Sequence, residues 1–364
     1  MTIEGNMMEG DINETEPSPD DIDLNQFKYS RFRGLKNRYS KSYLIKRLSA
    51  LFIVFIAVLI LIFILPRTMP GNFVLTYVRQ LEREHPGVNG KIIAARIKAL
   101  FGYNVPIYIQ FEIYLRNILS LTPNFGPSFE YYPTPAWTVV GFGIFWTLLL
   151  LGTSQAIAWV IGIFLGTWLS FKKGKFIDKV VQPAFYFMSS IPSFWLAMLF
   201  ILFFAVDLRF FPSAGAYSTT INVPSVLDHM FLPLMVIVIV SLPSHTLVIR
   251  AAAIETLGSD FLKSMKAQGF SNHTILMRVM KNSLLPSITN LMLNIGYLIG
   301  GIFTVEITFS YPGMGTIIAD AVLAEDYPVI EASLYIVTLV ILLSNLAADL
   351  LYPLIDPRVS YVGD

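Results

Sequence analysis

One basic, amphipathic stretch has the residue types and spacing of a recognition surface. Residues 261–290 read FLKSMKAQGFSNHTILMRVMKNSLLPSITN. Phe261, Leu262 and Met265 are spaced so that one face of a helix carries them. The basic side chains of the stretch are Lys263, Lys266, Arg278 and Lys281. An apolar face bordered by cations suits either a groove on a partner protein or an anionic lipid surface, and both are binding functions rather than catalytic ones.

Capping signals divide this stretch into two helices. Asp260 is predicted to cap the start of a short helix and to interact favourably with its dipole. Gly269 fits a left-handed helix end, and Ser271 or Asn272 can cap a second helix that reaches Leu285-Pro286. The pattern therefore predicts a helix–turn–helix lying across a membrane surface.

The rest of the chain lacks the motifs of the common catalytic sites. There is no cysteine, which excludes disulfides, thiolate catalysis and cysteine-ligated metals. The four histidines show no H-E-x-x-H spacing. The Gly174-Lys175 pair is followed by Phe176, and Leu169 stands where a P-loop needs its first glycine, so we do not expect this chain to bind ATP. We expect it not to be an enzyme.

Long apolar runs supply the elements that must position the basic stretch. Hydrophobic residues make up 54% of the chain and charged residues 14%. A run of 19 helical residues spans ~29 Å, about one hydrocarbon core. Six runs predict six transmembrane helices: Leu48–Pro66, Thr138–Ser170, Val180–Val206, Phe231–Ile249, Leu284–Val305 and Ala332–Leu354. Gly162 and Gly166 form a small-residue face suited to close helix packing.

Charge asymmetry predicts the orientation. Residues 1–27 carry acids without Lys or Arg, and residues 28–47 carry only bases. Basic segments favour the cytoplasmic side, so both termini are expected inside a prokaryotic plasma membrane. The predicted division is a largely disordered tail (1–42), a first transmembrane helix (43–66), an extracytoplasmic cap (67–137), a five-helix core (138–356) that contains the 256–285 segment, and a C-terminal tail (357–364).

Several segments together resemble one transporter family. Ala267-Gln268-Gly269, a basic apolar helix and then Leu285-Pro286 resemble the cytoplasmic signature loop of ABC importer permeases. Lys263-Ser264-Met265 stands at the Glu-Ala-Ala positions, so the acidic residue is missing, and Leu-Pro lies four residues further on than in the sugar-type pattern. Both departures resemble the oligopeptide/dipeptide/nickel branch. Further similar segments are NFGPSF (124–129), SSIPSFWLAMLFILFFAV (189–206), the run 231–269, VEITFSYPGMGTIIADAVLAEDYPVI (305–330) and NLAADLLYPLIDPRV (345–359). The resemblance runs from about residue 43 to the C-terminus.

The resemblance implies an all-α integral membrane protein with the type I ABC importer permease fold and a cytoplasmic coupling helix. It implies as partners a second homologous permease subunit, two ABC ATPase subunits that bind ATP and Mg, an extracytoplasmic substrate-binding protein and the bilayer, with no cofactor in this chain and no nucleic acid. The residues that it places at the ATPase contact are Asp260, Phe261, Leu262, Lys263, Met265, Ala267, Gly269 and Ser271.

Function and pathway residues leave alternatives open. Asn294 and Glu306 are candidates for the translocation pathway, with a structural role as the alternative. Asp349 in the last run could pair with Arg250. Peptide is the expected cargo and oligosaccharide the alternative. An ion-coupled secondary transporter is a further alternative, but it would want midplane carboxylates and inverted repeats. Helix 260–271 could also simply rest on lipid.

Overall fold

A computed structural model describes residues 41–68, 78, 89–100, 104–120 and 123–355 of the chain. Every regular element in these ranges is helical. The elements are α1 (Lys41–Thr68), α2 (Gly90–Leu100), α3 (Ile107–Ile118), α4 (Ala136–Ser170), α5 (Phe176–Ser189), α6 (Ser193–Phe200), a π-helix (Ile201–Asp207), α7 (Val223–Gly258), α8 (Asp260–Ala267), α9 (Asn272–Thr308), α10 (Met314–Leu323) and α11 (Tyr327–Ile355). Most of the predicted N-terminal tail and all of the predicted C-terminal tail lie outside the described residues.

Four helical stretches of the described chain are long and apolar enough to cross a membrane. They are Ile45–Leu65, Ala136–Ser170, Val223–Gly258 and Tyr327–Leu350. The pair α5 and α6 with its π-helix is bent by 95° and counts as a fifth if it forms one broken span. The chain is thus a helical, multi-pass membrane protein. Helix α9, which contains the predicted run Leu284–Val305, is not among these stretches, so the sixth span stays a prediction.

Helices α4 and α7 approach closely at the two glycines. A Cβ atom on Gly162 would lie 2.8 Å from the Cβ atom of His245, and one on Gly166 would lie 2.6 Å from the carbonyl oxygen of Thr246. Real side chains do not tolerate such distances, so larger residues would push the two backbones apart. The predicted small-residue packing face is confirmed.

One end of this helix pair is fixed by a buried ion pair. The Arg250 guanidinium on α7 donates to both oxygens of Asp178 on α5, over 2.7 and 2.8 Å. The Gly174 N–H, in the loop between α4 and α5, also donates to Asp178, over 2.9 Å. Asp349 of α11 pairs instead with Arg47 of α1. The predicted pairing of Asp349 with Arg250 is therefore wrong, because α11 packs beside α1 while α7 places Arg250 at the first turn of α5.

The opposite end of α1 is tied to α11 in a similar way. Arg67, in the last turn of α1, donates to Glu331 over 2.7 Å, and its guanidinium carbon lies 3.7 Å from the centre of the Phe63 ring. Its Nε atom also donates to the Gln110 side chain of α3 over 3.4 Å. These contacts hold α3, part of the region predicted as a cap, against the first and last spans.

Candidate functional site

The start of the basic segment is a short helix that differs from the prediction by one residue. Ser259, with extended backbone angles of φ −69° and ψ 147°, is the N-cap residue of α8. Asp260 is already in the first helical turn. It is therefore not the cap, although a carboxylate there still favours the positive end of the helix dipole. Its Oδ1 atom lies 2.8 Å from Lys263 Nζ in a solvent-exposed pair.

The end of α8 has the geometry that its sequence predicts. Gly269 has φ +78°, in the left-handed region that favours glycine. The Phe270 N–H donates to the Met265 carbonyl over 3.2 Å and the Gly269 N–H to the Lys266 carbonyl over 3.1 Å, a Schellman motif. The Ser271 hydroxyl then accepts from the Thr274 N–H over 3.3 Å and caps α9. The predicted left-handed conformation of Gly269 and the predicted cap at Ser271 are confirmed. Their contact with an ATPase stays a prediction.

The two faces of α8 have different surroundings. Leu262 and Met265 are buried against Ala253 of α7 and Ile275 and Val279 of α9. The prediction that they share an exposed apolar face with Phe261 is wrong, because they anchor the helix between its two neighbours. Phe261 of α8 is 53% exposed, and Phe270, which follows the end of the helix, is 46% exposed. The other residues predicted at the ATPase contact are all exposed, as are Ser264, Lys266 and Gln268; they are Asp260, Lys263, Ala267, Gly269 and Ser271.

A second polar site lies near the other end of α9. Glu306 is fully buried. It accepts a hydrogen bond from the Thr147 hydroxyl of α4 over 2.6 Å and another from the Gly315 N–H of α10 over 2.7 Å. The Thr147 hydroxyl in turn accepts from the Met314 N–H over 2.7 Å. These residues, with Gly313, form what we name the Glu306 latch, which holds the N-terminus of α10 against α4 and α9.

Glycine is required in this latch for lack of space. A Cβ atom on Gly313 would overlap the Glu306 carboxylate, and one on Gly315 would lie 2.5 Å from the Phe303 Cα atom. The first N–H groups of a helix attract an anion, and this electrostatic attraction is stronger where water is excluded. The Pro-Gly-x-Gly sequence thus lets α10 bring its N-terminus directly onto a buried carboxylate.

An acidic cavity adjoins the latch. It has a volume of about 730 Å³, and Glu130, Thr316, Asp320 and Asp326 are among its lining residues. Burial raises the pKa of the Glu130 carboxyl, and the neighbouring carboxylates of Asp320 and Asp326 raise it further. Asp326 is buried and accepts from the backbone N–H groups of Glu130 and Val329, over 3.1 and 3.3 Å. It thereby ties the loop before α4 to the start of α11.

The two predicted pathway residues have different outcomes. Asn294 belongs to α9, but its side chain lies outside the described residues. Glu306 is described, and its contacts are those of a structural latch. A role of either residue in the pathway stays a prediction. Sequence reasoning missed Thr147, which no local pattern connects to Glu306. Among the described residues no group of three or more His, Asp or Glu side chains could hold a metal ion.

Comparison with known proteins gives one family. Residues 158–361 match the model of the binding-protein-dependent transport system inner membrane component family. The metal-staphylopine import system permease protein CntB of Staphylococcus aureus is 27% identical over 317 residues, 87% of this chain and 97% of that protein. The oligopeptide transport system permease protein AppB of Bacillus subtilis is 28% identical over 327 residues, 88% of this chain and 99% of that protein.

A third relative comes from a different named system. The glutathione transport system permease protein GsiC of Salmonella typhi is 28% identical over 321 residues, 88% of this chain and 99% of that protein. The family match includes α8 and Glu306, and the pairwise matches extend over most of the chain.

Proposed function

The chain belongs to the binding-protein-dependent transport system inner membrane component family, and on that premise we propose that it forms part of the solute pathway of an ATP-driven peptide importer. It is an ABC importer permease of the oligopeptide/dipeptide/nickel type. Our proposal adds the six-span type I architecture, the peptide cargo, the orientation and the coupling role of α8.

The observation that carries the proposal is that α8 is buried on one side and exposed on the other. Its inner face is anchored by Leu262 and Met265, while Phe261 is exposed, as is Phe270 just after the helix. Exposed aromatic side chains in a basic segment suit a groove on a partner protein. In our proposal the partner is an ATPase subunit, which binds ATP and Mg in place of this chain.

The contacts around α8 support a route for the movement. When the two ATPase subunits close, they displace α8, and its buried side chains carry the displacement to α7 and α9. Arg250 lies on α7 one helical turn before Ala253, which belongs to the same buried cluster as Leu262 and Met265 of α8. Its ion pair with Asp178 then passes the movement to α5. The bundle rocks between inward-facing and outward-facing states by this rigid connection.

Charge supports the proposed orientation. The loop after α4 carries Lys172, Lys173 and Lys175, and Lys179 follows in the first turn of α5. Phe171 of that loop packs against the cluster that contains Leu262 and Met265 of α8. The basic loop and α8 are therefore at one end of the bundle, which the positive-inside rule assigns to the cytoplasm. The acidic cavity then faces outward, where the substrate-binding protein delivers cargo to this chain and a second homologous permease subunit.

The relatives' names support a peptide cargo. AppB is named for oligopeptide transport and GsiC for transport of glutathione, itself a tripeptide, while CntB is named for a metal chelate. None of these three names concerns a sugar, so oligosaccharide is the weaker alternative. Membership of this family also argues against the ion-coupled secondary transporter.

A charge placed on the outer face of α8 tests the proposal. We expect Phe261→Asp to lower co-purification of the ATPase subunits and ATP-driven uptake of labelled peptide at least tenfold, because the apolar contact is lost. The matched control is Phe210→Asp, at a side chain 68% exposed in the loop after the π-helix at the other end of the bundle. Equal ATPase association of F261D and the unmutated chain contradicts the proposal.

A further inference from the structure

The segment between α5 and α6 interrupts the bent helix pair that is the fifth candidate span. Helix α5 ends at Ser189, α6 begins at Ser193, and the two helices are bent by 95°. Pro192 is the N-cap residue of α6 and no side chain caps that helix by a hydrogen bond. The Ser190 hydroxyl donates to the Tyr186 carbonyl over 2.9 Å. Residues 190–192 therefore place non-helical backbone between two apolar helices.

Contacts on either side place this break at membrane depth. Below it, Asp178 of α5 is bound by Arg250 of α7. Above it, Ala197 of α6 lies in the same buried cluster as Val236 of α7. Arg250 and Val236 are separated by about 21 Å along α7 at the helical rise of ~1.5 Å per residue. The break lies between these levels of a membrane-crossing helix, away from both of its ends.

The break is also on the surface of the chain. Ser190 and Pro192 are exposed, beside a cavity of about 330 Å³ that is also lined by Phe187, Phe194 and Trp195. Phe194 and Trp195 are 46% and 47% exposed. One turn of α9 contributes as well, since the hydroxyls of Ser193 and Thr304 share a hydrogen bond of 3.0 Å at an exposed position.

The exposed backbone of the break does not suit lipid. Non-helical backbone at membrane depth is tolerated only where it is buried in protein or lines a water-filled cavity. The run from residue 180 to residue 206 contains no charged residue. The wall around the break is thus uncharged, and it combines hydroxyls, bent backbone and aromatic rings.

We propose that the wall formed by Ser190, Ser193, Phe194, Trp195 and Thr304 lines the aqueous translocation pathway and contacts the transported peptide. The inference rests on the proposed function, and none of these five residues belongs to the Glu306 latch. Hydroxyls can exchange hydrogen bonds with peptide amide groups, and the aromatic rings can pack on side chains of varied size. Because the wall carries no charge, it binds the peptide backbone without selecting the charge of the cargo.

The absence of cysteine from the chain makes a direct test simple. Single variants Ser190→Cys, Ser193→Cys and Thr304→Cys are assembled with both ATPases and the second permease subunit in liposomes. A charged, water-soluble methanethiosulfonate is then applied and labelling of this chain is measured. The matched controls are Leu61→Cys and Phe164→Cys, at side chains that are each 61% exposed and lie on apolar helix surfaces.

We expect the three wall cysteines to react at least tenfold faster than both controls, and saturating peptide to slow their labelling. If Ser190→Cys does not assemble, the two other variants report on the same wall. Reaction only with a lipid-soluble maleimide assigns the wall to lipid and overturns the proposal. Cross-linking to the second permease subunit without reaction in water assigns it to a subunit interface, which also overturns it.

Failure of this inference differs from failure of the proposed function. If the unmutated complex imports peptide with ATP but its wall cysteines do not label, only the pathway assignment is wrong. If the unmutated complex shows no ATP-driven uptake of peptide, the proposed function itself is wrong. Uptake that depends strongly on the charge of matched tripeptides, with labelling intact, overturns the claim of charge-indifferent binding.

Discussion

The Glu306 latch and helix α8 differ in how far their side chains are buried and paired within the chain. Both oxygens of Glu306 accept hydrogen bonds from within the chain, and the carboxylate is fully buried. Helix α8 buries Leu262 and Met265 but leaves Phe261 and its Asp260–Lys263 pair exposed. A site whose polar groups are all buried and paired within the chain stabilises the fold, whereas a helix with one exposed face offers a surface to a partner. Mutations at the two sites should therefore fail in different assays.

The largest loss of stability is expected for Glu306→Ala. The change leaves the Thr147 hydroxyl and the Gly315 N–H without their acceptor in a buried site, at a cost of about 3 kcal/mol. The check is the unfolding midpoint of the purified chain in detergent, with Glu112→Ala on the exposed surface of α3 as the control. A midpoint equal to that of the control contradicts a stabilising role of the Glu306 latch.

Gly313→Ala should have the next largest effect on stability. Its Cβ atom would overlap the Glu306 carboxylate, and such overpacking typically lowers the free energy of unfolding by about 2 kcal/mol. The matched control is Gly152→Ala in α4, where a Cβ atom meets nothing within 4 Å. Equal unfolding midpoints for the two alanine variants contradict the tight fit.

Gly269→Leu should separate stability from function. A side chain at φ +78° strains the end of α8, at a cost of roughly 1 kcal/mol. Gly126→Leu is the matched control, because Gly126, in the loop before α4, has φ +86° and, like Gly269, open space around its Cβ position. We expect similar unfolding midpoints for the two variants, and at least tenfold lower ATP-driven uptake for Gly269→Leu alone. Normal uptake by G269L contradicts a coupling role for the end of α8.

The smallest effect is expected for Lys263→Ala. The side chains of Lys263 and Asp260 are 70% and 95% exposed, and such pairs contribute less than about 0.5 kcal/mol. The unfolding midpoint should stay unchanged. If ATPase association weakens while the midpoint is constant, Lys263 contributes to the partner surface; a large drop in the midpoint instead shows that the outer face is part of the fold.

Local signals explain what the sequence could predict. The left-handed conformation of Gly269, the cap at Ser271 and the close approach at Gly162 each depend on residue type and near neighbours. The Pro-Gly chemistry near residue 313 also marks a turn. These features follow from backbone freedom and small size, which do not depend on distant parts of the chain.

Long-range packing explains what the sequence could not predict. Thr147 and Glu306 are 159 positions apart, so their hydrogen bond depends on how α4 meets α9. The inward direction of Leu262 and Met265 likewise depends on α7 and α9 closing over α8. The apolar run 180–206 predicted one span, but hydropathy alone does not reveal the 95° bend.

Site-specific photo-cross-linking from position 261 tests most directly whether the outer face of α8 meets an ATPase. A benzophenone side chain replaces Phe261 in the assembled importer, and the same group replaces Phe210 as the control. We expect a covalent adduct between this chain and an ATPase subunit from position 261 and none from position 210. An adduct from position 261 with lipid alone, in a complex that still retains its ATPases, contradicts the proposed contact between α8 and an ATPase.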